Sequence, residues 1–242
     1  MKTVSIIVPA LDEEEYQFKK CVESLLNQKG VNVQLILTTV DGDPCVSWVE
    51  GLHVVVMDRK DHPGRSPDGS FLQISNAISR VKGEYMFYHS ANDYCYPDKS
   101  INEINRMAET GASVCYSAFN VILNGQTTTR TFPEHYTIER HLRSNFVYDS
   151  SMVKSSLFKK YLPFCNWYNC GYWDIWMRIY WGEGNVFCYN PIPTKDYIQH
   201  PDSMHIERRK NVRDRRRHEM DAQEMLKKHR EIYARTCGQP TS

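Results

Sequence analysis

The sequence has no uninterrupted apolar stretch of the roughly 20 residues that a membrane-spanning helix needs. It has no CxxC pair and no histidine cluster at zinc-ligand spacing; Cys21, Cys45, Cys95, Cys115, Cys165, Cys170, Cys188 and Cys237 are scattered along it. A zinc-finger type of site is excluded by that spacing, and reduced, mostly buried thiols are expected. Neither sign of charge is in excess: 30 Lys and Arg against 29 Asp and Glu give a net charge of +1. The protein as a whole therefore has no electrostatic reason to seek nucleic acid or anionic lipid, and any such affinity must be local. The apolar run in MKTVSIIVPALDEEE is too short for an export signal and is soon interrupted by acids. A cytoplasmic protein, soluble or peripheral to a membrane, is the expectation. What is present is an ordinary globular composition, 41% hydrophobic and 24% charged over 242 residues. That is enough chain for one large domain with at most a small appendage.

Residues 3–9, TVSIIVP, form a β-branched run ending in proline, and DEEEYQFKKCVESLLNQ follows with Phe18, Cys21 and Leu25 at helical spacing. VQLILTTV at 33–40 and LHVVVMD at 52–58 read as further strands, the first ending at Asp41-Gly42-Asp43-Pro44. A helix in SFLQISNAISRVKG then precedes the strand EYMFYHS at 84–90. Alternation of strand and helix predicts right-handed crossovers and a mainly parallel sheet flanked by helices. Ligands of such sheets sit beyond the carboxyl ends of the strands, where the loops after Pro9, Val40 and Tyr88 converge. A helix near 100–109, one strand in ASVCYSAFNVI and a hairpin at Asn124-Gly125 follow.

Two strand ends carry chemistry. Asp41 offers a carboxylate to a base imide or a ribose hydroxyl, although VDGDP is also a common turn sequence. Asn92 and Asp93 in Ser90-Ala91-Asn92-Asp93 offer hard oxygen atoms to Mg2+ or Mn2+ bridging a diphosphate, or else form an Asx turn into a helix. Later, Asp174 lies beside Trp173 and Trp176, which suits either a general base with a raised pKa or a helix cap. His200 and His205 could meet a phosphate or a metal, or simply lie at the surface. Trp167, Tyr168, Tyr172 and Trp173 suit either a sugar-stacking platform or core packing.

Taken together, VSIIVPALDEEE…CVESLLNQ, LTTVDGD, QISNAISRVKGEYMFYHSANDYCYPDK, SSMVKSSLFKKYLPF and GYWDIWMRIYWGEGNVFCYN resemble, in order and spacing, the inverting glycosyltransferases of family 2. The resemblance covers about 200 positions, and it implies the α/β GT-A (Rossmann-like) fold. Residues 1–205 would form the domain, with a nucleotide-sugar half at 1–98 and an acceptor half at 99–205, and 206–242 would be a basic helical extension. By resemblance, the nucleotide sugar is bound by Pro9, Ala10, Leu11, Glu13, Asp41, Asn76, Asn92 and Asp93. Mn2+ or Mg2+ would be held by Asp93, Asn92 and His200, and Asp174 would be the catalytic base. The implied reaction is hexosyl or deoxyhexosyl transfer from a nucleotide diphosphate sugar to a hydroxyl of a glycan or glycolipid.

The sequence departs from the family pattern twice. Aligned through Pro97, the Asp-x-Asp motif falls on Ser90-Ala91-Asn92, leaving Asp93 as the single carboxylate. Aligned through Trp176-Met177-Arg178, the base falls on Tyr172, and Asp174, two residues on, points about 200° away if both lie in one helix. Asp174 takes the role only if the helix starts after it or the register shifts. A nucleotidyltransferase of the same fold would need a Gly-rich, basic loop after the first strand, and PALDEEE has neither. A non-catalytic nucleotide-sugar-binding module is the remaining alternative. The run from Glu207 to Arg230 reads as a solvated helix with ion pairs, or as a contact for anionic lipid head groups, with Arg208 and Arg209 near enough in sequence to reach a diphosphate. No nucleic-acid partner is expected.

Overall fold

Six consecutive buried residues at the end of β1 (Lys2–Pro9) mark a strand covered on both faces, and its alternate side chains enter different cores. Val4, Ile6 and Val8 pack with Phe18, Cys21, Val22 and Leu25 of α1 (Glu15–Leu26) and with Ile104 and Met107 of α4 (Lys99–Thr110). Ile7 packs on the opposite face with Phe71, Ile74 and Ala77 of α3 (Pro67–Ala77) and Ile175, Trp176 and Ile179 of α7 (Gly171–Glu183). Two cores on two faces of one sheet give three layers, helix on sheet on helix. This is a computed structural model, and it describes residues 1–48, 52–61, 67–165, 170–199 and 211–237. His200, His205, Arg208, Arg209, Trp167 and Tyr168 lie outside the described residues.

The main sheet has the order β10-β6-β9-β4-β1-β2-β3, with β10 at Phe187–Asn190. β2 (Val31–Val40) and β4 (Tyr85–Tyr88) flank β1 in parallel, and β3 (His53–Met57) extends β2. The chain thus winds outward from β1 to β3, then returns across β1 to β4. That reversal is a topological switch point, where loops leave neighbouring strands toward opposite faces and open a crevice. The crossing is tight: a Cβ on Gly83, just before β4, would lie 2.7 Å from the Ser5 nitrogen of β1, so only glycine fits. The antiparallel strand in this sheet is β9 (Met152–Lys154), between β4 and β6 (Val114–Ser117).

The expected single strand ASVCYSAFNVI is two. Ala118 separates β6 from β7 (Phe119–Leu123), its N–H bonded to Asn190 in the main sheet's direction while its carbonyl accepts from Thr194. β7 belongs to a second sheet of order β5-β11-β7-β8, with β5 at Tyr94–Cys95, β8 at Gln126–Arg130 and β11 at Lys195–Gln199. The hairpin at Asn124-Gly125 is present, with φ of +50° and +74° as a two-residue primed turn requires. β11 runs antiparallel to β5, which directly follows the β4 loop, and so carries Lys195 into the crevice.

The last helix, α8 (Val212–Cys237), docks on α7: Met225 sits with Cys170 and Met177 in a third apolar cluster. Among the described residues the seven cysteines other than Cys237 are free thiols, six of them buried. No helix among the described residues is long and apolar enough to cross a membrane.

Candidate active site

The loop after β1 is fixed from below. Ala10 donates its N–H to the Thr38 carbonyl at 2.9 Å, and the buried Gln73 amide of α3 donates to the Ala10 and Thr38 carbonyls at 3.2 and 3.3 Å. Pro9, Ala10 and Leu11 are buried, giving an apolar floor at the end of β1. Asp12 follows with φ +52°, and its N–H donates to Asp43 Oδ2 at 2.9 Å. Asp43 also accepts from the Cys45 N–H at 3.0 Å. Burial would raise the Asp43 carboxyl, but those bonds and the Arg59 guanidinium hold it below the ordinary range. Asp43 is therefore the residue that closes the turn, and this leaves Asp41 at the end of β2 exposed for a ligand. The expected Asn76 is exposed on α3, and it is Gln73, one turn earlier, that meets the site loop.

The loop after β4 delivers Asp93. Its N–H bonds the Ser90 carbonyl at 3.2 Å, and the Ser90 hydroxyl donates to Asn92 Oδ1 at 2.9 Å. The Asp93 carboxylate is fully buried and bound on both oxygens: Lys195 Nζ donates to Oδ2 at 2.9 Å and the Ile198 N–H to Oδ1 at 3.1 Å. Burial works against the Lys195 ammonium, but the carboxylates of Asp93 and Asp149 more than offset it and hold its pKa above the ordinary lysine value. Asp149 Oδ1 lies 4.0 Å from Lys195 Nζ and accepts the Ser150 N–H at 2.7 Å, and its side chain is one-third exposed. Tyr88, ending β4, is the common neighbour. Burial and then the carboxylates of Asp149, Asp93 and Glu13 push its phenol well above the ordinary tyrosine range. The structure thus brings the ends of β1, β4 and β11 together, with Glu13, Asp93, Asp149 and Lys195 around one crevice.

These residues do not fit a divalent cation of the expected kind. The position of the first motif aspartate is a serine hydroxyl, and Asn92 Oδ1 accepts from it. The remaining carboxylate, Asp93, already binds an ammonium group, so a dication there would face a like charge at contact distance. Among the described residues no three His, Cys, Asp or Glu side chains group as metal ligands. Asn92 and Asp93 stand in the loop after β4, where Asp93 binds Lys195 and Asn92 Oδ1 accepts from Ser90, a setting that does not suit the expected metal ligands; His200 lies outside the described residues.

Asp174 is also corrected. α7 begins at Gly171, so Asp174 lies inside the helix and Tyr172 turns into the crevice instead, 5.6 Å between ring centroids from Tyr88 and 5.5 Å from Phe71. Asp174 faces α8, its Oδ2 bound by Arg178 Nε at 2.7 Å and its Oδ1 by His229 Nε2 at 3.0 Å. Trp181 Nε1–H donates to His229 Nδ1 at 2.9 Å, so Nε2 carries the hydrogen that Asp174 accepts. Burial would raise the Asp174 carboxyl, but the His229 bond and the Arg178 charge leave it below the ordinary range, the wrong direction for a base. It fastens the C-terminal helix.

Lys195 is the residue that sequence reasoning missed. Its partner is 102 positions away, and nothing local in PIPTKDYIQ marks it. Asp149, in VYDSS, is the carboxylate that the sequence offers as a base next after Asp174.

A three-layer α/β unit with this strand order and a crevice at its switch point has the GT-A fold. No protein-family model matches the chain, and no curated protein does. Solved structures do match. S. aureus TarS in complex with UDP aligns with a TM-score of 0.62 at 16% identity, covering 83% of this chain and 61% of that one. Its complex with UDP-GlcNAc aligns at 0.63 and 16%, covering 86% and 61%. Glucosyl-3-phosphoglycerate synthase from Mycobacterium tuberculosis, in complex with Mn2+, UDP and glucosyl-3-phosphoglycerate, aligns at 0.60 and 13%, covering 100% of this chain and 82% of that one.

Proposed function

We propose that the chain is a glycosyltransferase using a nucleotide diphosphate sugar, with inverting transfer to a hydroxyl of a glycan or glycolipid. The observation that carries this reading is the meeting of Asp149, Asp93 and Lys195 at the switch point of a GT-A fold, with Asp41 exposed at the end of β2. Solved proteins of that fold hold UDP and UDP-GlcNAc. Pro9, Ala10 and Leu11 form the floor under the base, and Asp41 accepts hydrogen bonds from the base or ribose. Asn92 and the loop after β4 face the diphosphate, and Glu13 closes the same side. Asp149 is the general base: of the two part-exposed carboxylates in the crevice, Glu13 belongs to the loop after β1 that floors the nucleotide, which leaves Asp149 for the acceptor, whereas Asp93 is spent on Lys195. The acceptor oxygen bonds C1 of the sugar as the bond from C1 to the diphosphate oxygen breaks. Its proton passes to Asp149, and the electron pair leaves with the diphosphate.

A thermal-shift screen against nucleotide sugars tests the reading, because a ligand of the folded state raises its melting temperature. Failure of every nucleotide sugar and nucleoside diphosphate to do so would overturn it. A second reading, a binding module without transfer, is favoured by Tyr172, which stands in the first turn of α7 where the base is expected. Donor binding with no release of nucleoside diphosphate in the presence of acceptors would select it. The exposed Arg213, Arg215 and Arg216 at the start of α8 suit a peripheral contact with anionic lipid, if the acceptor is lipid-linked.

A further inference from the structure

Lys195 has more donors than its visible partners use. An ammonium has three N–H groups. Among the described residues Lys195 Nζ makes one hydrogen bond, to Asp93 Oδ2, and Asp149 at 4.0 Å is beyond hydrogen-bond length. The side chain is 96% buried, being 4% exposed, and the rings of Phe119 and Tyr197 stand 5.5 and 5.6 Å from Nζ. A buried cation with unused donors is costly, and an anion would satisfy them.

We propose that Lys195 is the diphosphate-binding cation of this site, fixed by Asp93, so that nucleoside diphosphate binding and sugar transfer require no added divalent metal. The inference rests on the glycosyltransferase reading above. Lys195 supplies its two spare N–H groups to the phosphate oxygens and stabilises the charge that collects on them as the bond to C1 breaks.

The test is calorimetric titration of the full chain with UDP and, separately, uridine, each in 1 mM EDTA and in about 1 mM MnCl2. UDP affinity equal within about twofold in the two buffers is expected; a gain of tenfold or more with Mn2+ overturns the proposal. Binding of neither probe in either buffer, nor of GDP, would remove the underlying reading and the proposal with it. Lys195→Met alone leaves Asp93 buried and unpaired and could unfold the protein, so the informative variant is Lys195→Met with Asp93→Asn, which removes both charges. With its melting transition retained, that variant should bind UDP at least tenfold more weakly than the wild type and uridine equally well. UDP affinity unchanged in the folded double variant means that the pair only braces the fold, and the proposal is lost.

Discussion

Asp174→Asn separates a structural from a chemical role. The Asp174 side chain is 5% exposed, with Arg178 Nε at 2.7 Å on one oxygen and His229 Nε2 at 3.0 Å on the other. Both neighbours donate, since His229 Nδ1 is occupied as an acceptor by Trp181. An asparagine has one acceptor oxygen and one donor NH2, so either orientation sets donor against donor on one side. Losing one charge-assisted bond costs about 1.5–3 kcal/mol. Arg178 keeps its bonds to the Tyr161 and Pro163 carbonyls and is 26% exposed, which permits partial rehydration and favours the lower end, about 2 kcal/mol. For a chain of this size that lowers the melting temperature by roughly 4–8 °C. The assay pairs a melting curve with turnover of whichever donor stabilises the protein. The variant should melt early yet turn over within about threefold of the wild type at a temperature where both are folded. A 10²–10⁴-fold loss of turnover at unchanged melting temperature would restore Asp174 as the base.

Asp149→Asn should show the opposite pattern, a fall on the order of 10²–10⁴ in kcat with donor affinity retained within about threefold, measured by initial rates and calorimetry; near-normal kcat would end its assignment. Asp41→Ala should weaken nucleoside diphosphate binding by roughly 10–100-fold, the worth of a charged hydrogen bond, and leave the melting temperature of the free protein unmoved because Asp41 is exposed. His141 is fully buried with neither ring nitrogen hydrogen-bonded, and burial lowers its pKa to about 3. The unfolded chain takes up that proton near pH 6.5. Stability is therefore complete above about 6.5 and is lost as pH falls toward 3, at up to about 1.4 kcal/mol per pH unit. Between pH 6.5 and 5 the wild type should lose about 2 kcal/mol that His141→Phe, packed among Tyr136 and Phe146, does not lose. Parallel pH profiles from urea unfolding would refute this.

Much of the architecture was legible because the signals are local. β-branched runs located β1 to β3 and an aromatic run located β4, and Asn124-Gly125 specified its hairpin because only a few residues tolerate two successive positive φ angles. Strand and helix in alternation implied a parallel sheet, and that alone placed the ligand loops at the ends of β1, β2 and β4. The departures at Asn92 and Tyr172 were equally visible as residue types in a register.

Tertiary structure decided which side chains are free. Whether Asp41 or Asp43 closes the turn depends on the Asp12 and Cys45 amides folding onto Asp43, and one DGD sequence serves either. Asp174 and Tyr172 exchanged their expected parts because the helix starts at Gly171, and a helix start is among the features that sequence locates least well. Above all, Asp93 is paired with Lys195 through a second sheet that splits from the first at Ala118. No periodicity in the chain encodes a contact across 102 residues, yet that contact sets the charge of the site. The sequence alone determined the strands, the loops and their acids; packing over long separations determined which acid is spent on structure, which remains open to a ligand, and where the fixed positive charge lies.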